Sequence, residues 1–283
     1  MHSAVLDWYA TNGRDLAFRR TADPWAVLVS EVMAQQTQAA RAAEAWTAFI
    51  DAYPTPAALA AVSRAAVIRA WRGLGYNRRA VALHRAAIAI VEEHGGTVPD
   101  DLDALVRLPG IGPYTARAVL AIAFDRPVAA LDTNIRRVLE RAFVGAATPP
   151  QAFQAIADGF VPPGRAAAWT HALMDVGAAF CRKRDPRCEA CPLRAFCTFD
   201  RTGASSARPL RAATPPFKST TRWLRGRILN RLRDAPDGSW VELAGPIGTH
   251  PRAAVGGALR DLASEGLIEL DPTGQARARL RST

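Results

Sequence analysis

Apolar positions recur every three or four residues along most of the chain, and strict apolar–polar alternation is scarce before residue 240. That pattern predicts a succession of amphipathic helices and an all-α main body. Val5, Leu6 and Tyr9 mark the inner face of a first helix over residues 3–10, closed by the polar turn Thr11-Asn12-Gly13. Asp23 followed by Pro24 is a start signal for a second helix, since an aspartate cap accepts an orphan amide and proline suits the first helical position. Leu28, Val32 and Met33 of that helix point inward, and Glu31 stands among Val29, Val32 and Met33. Glu31 and Gln35 are four apart and so share a helical face. Over residues 57–94, Val62, Val67, Ile68, Trp71, Val81, Leu83, Ile88 and Ile90 read as core, and Trp46 and Trp71 as packing residues.

The most informative stretch is residues 101–143. Leu102, Leu105 and Val106 form a helix face that Leu108-Pro109-Gly110-Ile111-Gly112-Pro113 interrupts before another helix opens at Tyr114, a helix-hairpin-helix outline. Gly110 and Gly112 admit positive φ and a close backbone approach to a ligand. The amides at the following helix start favour an anion, such as a nucleic-acid phosphate. From the glycines alone, an ordinary turn between packed helices reads the same. Leu131-Asp132-Thr133-Asn134 then precedes the apolar set Ile135, Val138, Leu139 and Ala142, which places Asp132 at a helix N-cap. Partial burial of Glu31 would raise its pKa toward what a general acid needs near neutrality. On spacing alone, a solvated helix face is the plainer alternative.

Composition adds a partner and a cofactor question. At 283 residues the chain is long enough for one large or two modest domains. Its net charge of +10 suits a polyanion partner, though it also suits plain solubility. No apolar run is long enough to span a membrane, and MHSAVLDWYA lacks a signal-peptide pattern, so the expectation is a cytoplasmic protein. The basic residues are arginines apart from Lys183 and Lys218. The only cysteines, Cys181, Cys188, Cys191 and Cys197, follow a C-x6-C-x2-C-x5-C spacing. Four thiols this close point to a metal or cluster site rather than two disulfides, with structural zinc and an iron–sulfur cluster both compatible.

Several strings together resemble one family. SEVMAQQTQ, LPGIGPYTA followed by LDTN, GLGYNRRAVALH, MDVGAAFC and the cysteine spacing resemble the helix-hairpin-helix DNA glycosylases that include endonuclease III and MutY, and among them the MutY-type adenine glycosylases. The resemblance covers about residues 1–200. It implies an all-α, two-lobed fold with a barrel core over about 24–130. The second lobe would comprise 1–23 and 131–200, with a 4Fe-4S cluster on Cys181, Cys188, Cys191 and Cys197. It implies two catalytic carboxylates reaching the substrate from opposite lobes: Glu31 as the acid and Asp132 as the stabiliser of a cationic sugar, positioned by Tyr114 and Asn134.

The base pocket and DNA contacts would draw on Arg19, Gln35, Gln36, Asp175, Gly110, Ile111, Gly112 and Thr115. Arg19 in LAFR stands where the family has LPWR or LPWQ, and Asp175 where it has an acidic pocket residue. Their plain alternatives are a surface arginine and a helix-end carboxylate. Tyr114 occupies the position of the strand-cutting relatives' lysine, so the resemblance implies a monofunctional enzyme. Asn77 replaces a tyrosine that in the family wedges beside the oxidised guanine, and asparagine offers no such stacking. Ala34 replaces a leucine.

The implied function is a monofunctional glycosylase of base excision repair that removes adenine mispaired with 8-oxoguanine or guanine from double-stranded DNA. It would work as a monomer, associated with the nucleoid and with no membrane. The alternatives are a thymine or uracil mismatch glycosylase of the same superfamily and a non-enzymatic iron–sulfur DNA-binding regulator.

Beyond residue 200 the resemblance ends. Residues 201–221 form a basic linker rich in proline and serine, with no acidic residue from Arg201 to Arg233. A helix through Leu224, Ile228, Leu229 and Leu232, a second helix in PRAAVGGALRDLASEG, and a hairpin from LIEL to QARARL give residues 222–283 the outline of a winged-helix-like module. Arg277 and Arg279 would sit on its wing. The tail does not resemble the Nudix-like C-terminal domain of typical MutY proteins.

Overall fold

A computed structural model of the chain describes residues 1–144, 148–199 and 216–282. It is predominantly helical, as the periodicity predicts, and its described residues fall into two compact units. Among the described residues no helix is long and apolar enough to cross a membrane.

The first unit comprises residues 1–32, 98–107 and 111–210. Its helices are α1 (His2–Asn12), most of α2 (Pro24–Ala34), α7 (Leu102–Arg107), α8 (Pro113–Ala123), α9 (Thr133–Leu139), α10 (Pro150–Gly159) and α11 (Ala166–Ala179). Asp23 caps α2 as expected, its carboxylate accepting from the Ala26 amide at 2.7 Å. Val5, Leu6, Ile135, Val138, Leu139, Phe153, Trp169, Leu173 and Val176 make one continuous core. Each residue comes from a face that recurs at helical spacing, so α1, α9, α10 and α11 close over the same apolar volume.

α11 and α9 approach so closely at one point that only glycine fits. A β-carbon on Gly177 would lie 2.6 Å from the Asn134 Cβ and 3.1 Å from its backbone.

The second unit comprises residues 33–97, 108–110 and 211–283. It holds α3 (Ala39–Ala52), α4 (Pro56–Ala60), α5 (Arg64–Ala70), α6 (Arg78–His94), α12 (Thr221–Asp234) and α13 (Arg252–Ser264). Strands β1 (Val241–Glu242), β2 (Ile268–Leu270) and β3 (Arg277–Leu280) form an antiparallel sheet in the order β1-β3-β2. The hairpin read from the sequence is β2 with β3, pairing Ile268 with Leu280 and Leu270 with Ala278. The short β1, which carries too few residues to show alternation, adds a third strand. Trp71 is fully buried and Trp46 nearly so, as packing residues should be.

The C-terminal helices do not hang free of the rest of this unit. Leu224, Ile228, Leu229 and Leu232 share a core with Ala65 and Ile68 of α5 and Val81 of α6. Arg233, itself buried, donates through Nε to the Ile68 carbonyl at 2.9 Å and through Nη2 to the Asn77 Oδ1 at 2.7 Å. The linker expected over 201–221 lies outside the described residues up to 215.

Three local readings are corrected. The second hairpin helix begins at Pro113 rather than Tyr114, and Gly112, at φ −90° and ψ 173°, is an extended N-cap rather than a left-handed residue. Only Gly110, at φ +79°, uses the left-handed region. α2 stops at Ala34, so Gln35 does not share a helical face with Glu31. The Arg79 guanidinium explains the stop: Nη1 takes the carbonyls of Met33 at 2.9 Å and Gln35 at 2.6 Å, diverting acceptors that another helical turn would use.

Gly177→Ala forces α9 and α11 apart and is expected to lower stability by about 1–3 kcal/mol. Gly112→Ala, whose β-carbon meets nothing within 4 Å, is expected to lower it by less than about 1 kcal/mol, the difference between glycine and alanine at an N-cap. Chemical denaturation of the two variants checks this, and equal effects would contradict it.

Candidate functional site

Glu31, Tyr114 and Asp132 all fall within the first unit. The chain's own helices bring them together. Glu31 lies in the last turns of α2, between Val29, Val32 and Met33, none more than 2% exposed, and is itself 8% exposed. Tyr114 is the second residue of α8 and donates its hydroxyl hydrogen to the Glu31 carboxylate.

Burial pushes Glu31 up from 4.5 to about 7. The Asp132 charge pushes in the same direction, while the Tyr114 hydrogen bond and the Arg19 charge act against it. Tyr114 is held far above the ordinary phenol range, by burial first and then by the negative charges of Glu31 and Asp132, so it acts as a hydrogen-bond donor.

Asp132 caps α9 as the sequence indicates. Its Oδ1 accepts from the amides of Asn134 at 2.8 Å and Ile135 at 2.6 Å, and its Oδ2 accepts from Asn134 Nδ2 at 3.0 Å. Asn134 is fixed in turn by Arg137, whose Nη2 donates to Asn134 Oδ1 at 2.7 Å and to the Gly177 carbonyl at 2.8 Å, while Nη1 reaches the Thr133 carbonyl at 2.9 Å. Nε of the same guanidinium donates to the Cys181 carbonyl. One arginine thus ties the Asp132 turn to α11 and to the cysteine segment.

Asp175 proves to be neither exposed nor at a frayed helix end. It is 3% exposed and grips two arginines. Arg19 meets it with two parallel bonds, Nη1 to Oδ2 at 2.8 Å and Nη2 to Oδ1 at 2.9 Å. Arg14 adds its amide to Oδ2 at 2.9 Å and its Nε to Oδ1 at 2.6 Å. Burial would raise the Asp175 carboxyl, but the Arg19 and Arg14 bonds and charges outweigh it and hold it below the ordinary range. The Arg19 side chain is 6% exposed, which rules out the surface reading, and its Nε is buried with no hydrogen-bond partner among the described residues. His171 packs beside Tyr9 and is pushed down to about 3, by burial and then by the Arg19 charge, so it stays neutral.

At the hairpin, Gly110 and Gly112 are exposed, whereas Ile111 and Thr115 are buried at 4% and 2% exposure. What the turn offers outward is therefore mainly backbone. No side chain caps α8. Gln35 and Gln36 belong to the second unit, where Gln36 is exposed and left-handed at φ +54°.

Cys181, Cys188, Cys191 and Cys197 all line one pocket, together with Phe180, Pro186, Phe199, Arg141 and Arg194. No disulfide joins them. Arg141 Nη1 lies 3.7 Å from the Cys181 sulfur. Among the described residues no group of three or more His, Cys, Asp and Glu is set to hold a metal ion.

Comparison with known proteins places this geometry. Residues 29–163, which contain Glu31, the hairpin and Asp132, match the HhH-GPD superfamily of base excision DNA repair proteins. The chain is 42% identical over 235 residues to an adenine DNA glycosylase of Mycolicibacterium smegmatis, covering 82% of this chain and 80% of that protein. It is 44% identical over 239 residues to an adenine DNA glycosylase of Mycobacterium tuberculosis, covering 82% and 78%.

The chain belongs to the MutY-type branch of the HhH-GPD superfamily. Among solved structures, a thermostable thymine-DNA glycosylase superposes with a TM-score of 0.67 at 29% identity, covering 71% of this chain and 94% of that one.

Within this MutY-type frame, sequence reading missed Arg14, Tyr9, His171 and Arg137. Arg137 carried a readable signal, its i+3 spacing from Asn134 on one helix. Arg14 and His171 carried none, because their partner Asp175 is 161 residues from Arg14 in the chain.

The Glu31 shift has a consequence for stability. An unfolded chain protonates Glu31 near 4.5 and the folded one near 7, so this contribution is complete below pH 4.5 and is lost as pH rises through 7. Glu31→Gln, neutral throughout, is expected to exceed the parent in stability above pH 8, by up to roughly 3 kcal/mol, and to differ little at pH 4. Denaturant melts at both pH values check the sign; no gain at pH 8 would contradict the burial of a chargeable carboxyl.

Proposed function

We propose that this chain is a monofunctional adenine DNA glycosylase of base excision repair, acting on adenine opposite 8-oxoguanine or guanine in duplex DNA. The observation that carries the reading is the buried Glu31 carrying its proton near neutrality, hydrogen-bonded to Tyr114 and within the field of Asp132. The names of the mycobacterial relatives support adenine as the base. Because the bond to be broken is inaccessible inside a duplex, the nucleotide is extruded first, at a cost of a few kcal/mol offset by phosphate contacts.

Glu31 then donates its proton to the adenine, at N7, and the C1′–N9 bond breaks with its electron pair leaving on the base. A base leaving as a neutral molecule is a far better leaving group than an anion. The Asp132 carboxylate, oriented by Asn134 and the α9 amides, stabilises the oxocarbenium-like sugar, as paired carboxylates do in glycoside hydrolysis. Water adds to C1′ and gives up its proton to the ionised Glu31, which restores the acid and leaves an abasic site. No amine stands at position 114, and the chain's only lysines are Lys183 and Lys218, so no Schiff base forms and the strand is not cut. Arg19, with a buried unpartnered Nε, and Asp175 form the polar end of the base pocket.

The four cysteines would hold a 4Fe-4S cluster. The four thiols line one pocket, and their C-x6-C-x2-C-x5-C spacing supports a cluster there. When bound, the cluster supplies a rigid cross-link for the loop that carries Arg182, Lys183 and Arg184. The two helices and three strands at the C-terminal end read as a winged-helix-like module.

Single-turnover excision on duplexes carrying A:8-oxoguanine, A:G, T:G or U:G tests the reading. The parent is expected to release adenine from the first two and nothing from the others. Glu31→Gln is expected to bind the adenine duplexes yet lose at least about a hundredfold in rate. Release of thymine or uracil instead would transfer the chain to the activity named for its thymine-DNA glycosylase neighbour. No release from any duplex would leave a non-enzymatic DNA binder.

A further inference from the structure

The second unit contains an open cleft of about 490 Å³ that the excision chemistry does not use. One wall is α6, with Arg78 and Arg85; another is the hairpin turn at Pro109 and Gly110; the third is the C-terminal module, with Glu265 at the end of α13 and Arg281 just after β3. Its shape follows from two close contacts. Gly110 sits so near α6 that a β-carbon there would lie 2.6 Å from the Ala82 Cβ, which seats the turn directly on the helix. The module is held to α5 by the Arg64 amide donating to the Ser282 carbonyl at 3.3 Å and by Arg64 Nη1 donating to the Gly266 carbonyl at 3.3 Å.

The lining is electrostatically one-sided. Three arginines face one carboxylate, Glu265, and that carboxylate already pairs with Arg225 and lies 3.9 Å from Arg78. Arg64, whose side chain bonds to the cleft-lining Gly266, is held below its ordinary basicity by burial and then by the charges of Arg281 and Arg85, so both of those guanidiniums bear on the same positively charged region. Like charges gathered in a folded protein cost stability unless an anion relieves them. A cleft of this volume is larger than one ion needs, it is open to solvent, and one rim is the turn at Pro109 and the exposed Gly110.

We propose that the cleft is a second phosphodiester-binding site, in which the C-terminal module, through Arg281, and α6, through Arg85, hold the backbone of duplex DNA beside the hairpin turn. The inference rests on the reading of this chain as a DNA glycosylase and extends it to residues outside the excision site. The module thereby takes a sequence-independent grip on the duplex, because backbone phosphates position a protein without reporting base identity.

The test uses the full chain and an undamaged duplex, with affinity measured across a salt series. Neutralising contacts to Z phosphates lowers the slope of log K against log salt by about 0.9 per phosphate. Arg85→Gln/Arg281→Gln is expected to flatten that slope by about 1–2, with an unchanged melting temperature as the folding control. Arg41→Gln, which removes an exposed arginine of α3, is expected to leave the slope within error. An unchanged slope in the double variant, or an equal change per arginine in Arg41→Gln, would overturn the proposal. So would loss of binding to polyglutamate with duplex binding intact, which would assign the cleft to an acidic protein. Excision of adenine by the parent alongside an unchanged slope would sink this inference alone; a parent that excises nothing would sink the functional reading instead.

Discussion

Everything in the excision site depends on one desolvated carboxyl. Glu31 is buried on a helix whose neighbouring residues are almost wholly apolar, and it accepts a hydrogen bond from the Tyr114 phenol. Water would have held that proton near 4.5; removing the water moves it to about 7. That shift is what the proposed role of Glu31 as acid toward the purine requires, and its cost falls on folding stability above neutrality. The opposite device operates a short distance along the fold, where Asp175 is just as buried but surrounded by guanidinium bonds and kept anionic. Two buried carboxyls thus shift in opposite directions, because burial prevails at Glu31 while the bonds and charges of two arginines outweigh it at Asp175.

The second constraint is rigidity around Asp132. The cation-stabilising role proposed for Asp132 calls for a carboxylate that does not relax, and Asp132 is fixed by three N–H bonds, while Asn134 is fixed by Arg137. Gly177 lets α11 come close enough for its carbonyl to take part in the same network. Arg137 also bonds to Cys181, so the order of the cysteine segment and the placement of the Asp132 turn are mechanically linked. The cluster proposed for the four cysteines would therefore order the Asp132 turn as well as the basic loop.

Much of this was legible in the chain. The Asp23-Pro24 start, the Asp132 cap, the burial of Glu31 and the β2–β3 hairpin are local features, fixed by residues within a few positions of one another, and periodicity and capping rules report them directly. The readings that needed correction were those where tertiary contacts overrule local preference. Gly112 could adopt positive φ but is not required to, because Pro113 sets the helix start from an extended residue. α2 ends one residue before Gln35 because Arg79, more than forty positions away, captures its carbonyls. Asn77 looked like a lost aromatic wedge; in the fold its side chain is committed to Arg233, a partner 156 residues on that no local pattern could name. The pairing of Arg14 and Arg19 with Asp175 was hidden for the same reason.

The central claim is that Glu31 holds a proton near neutrality because it is buried. Difference infrared spectroscopy across pH 3–9, comparing the parent with a Glu31→Gln background, isolates the carbonyl stretch of that one protonated carboxyl. The account predicts a band that titrates with a midpoint near 7. A midpoint near 4.5, the value of an exposed glutamate, would contradict it.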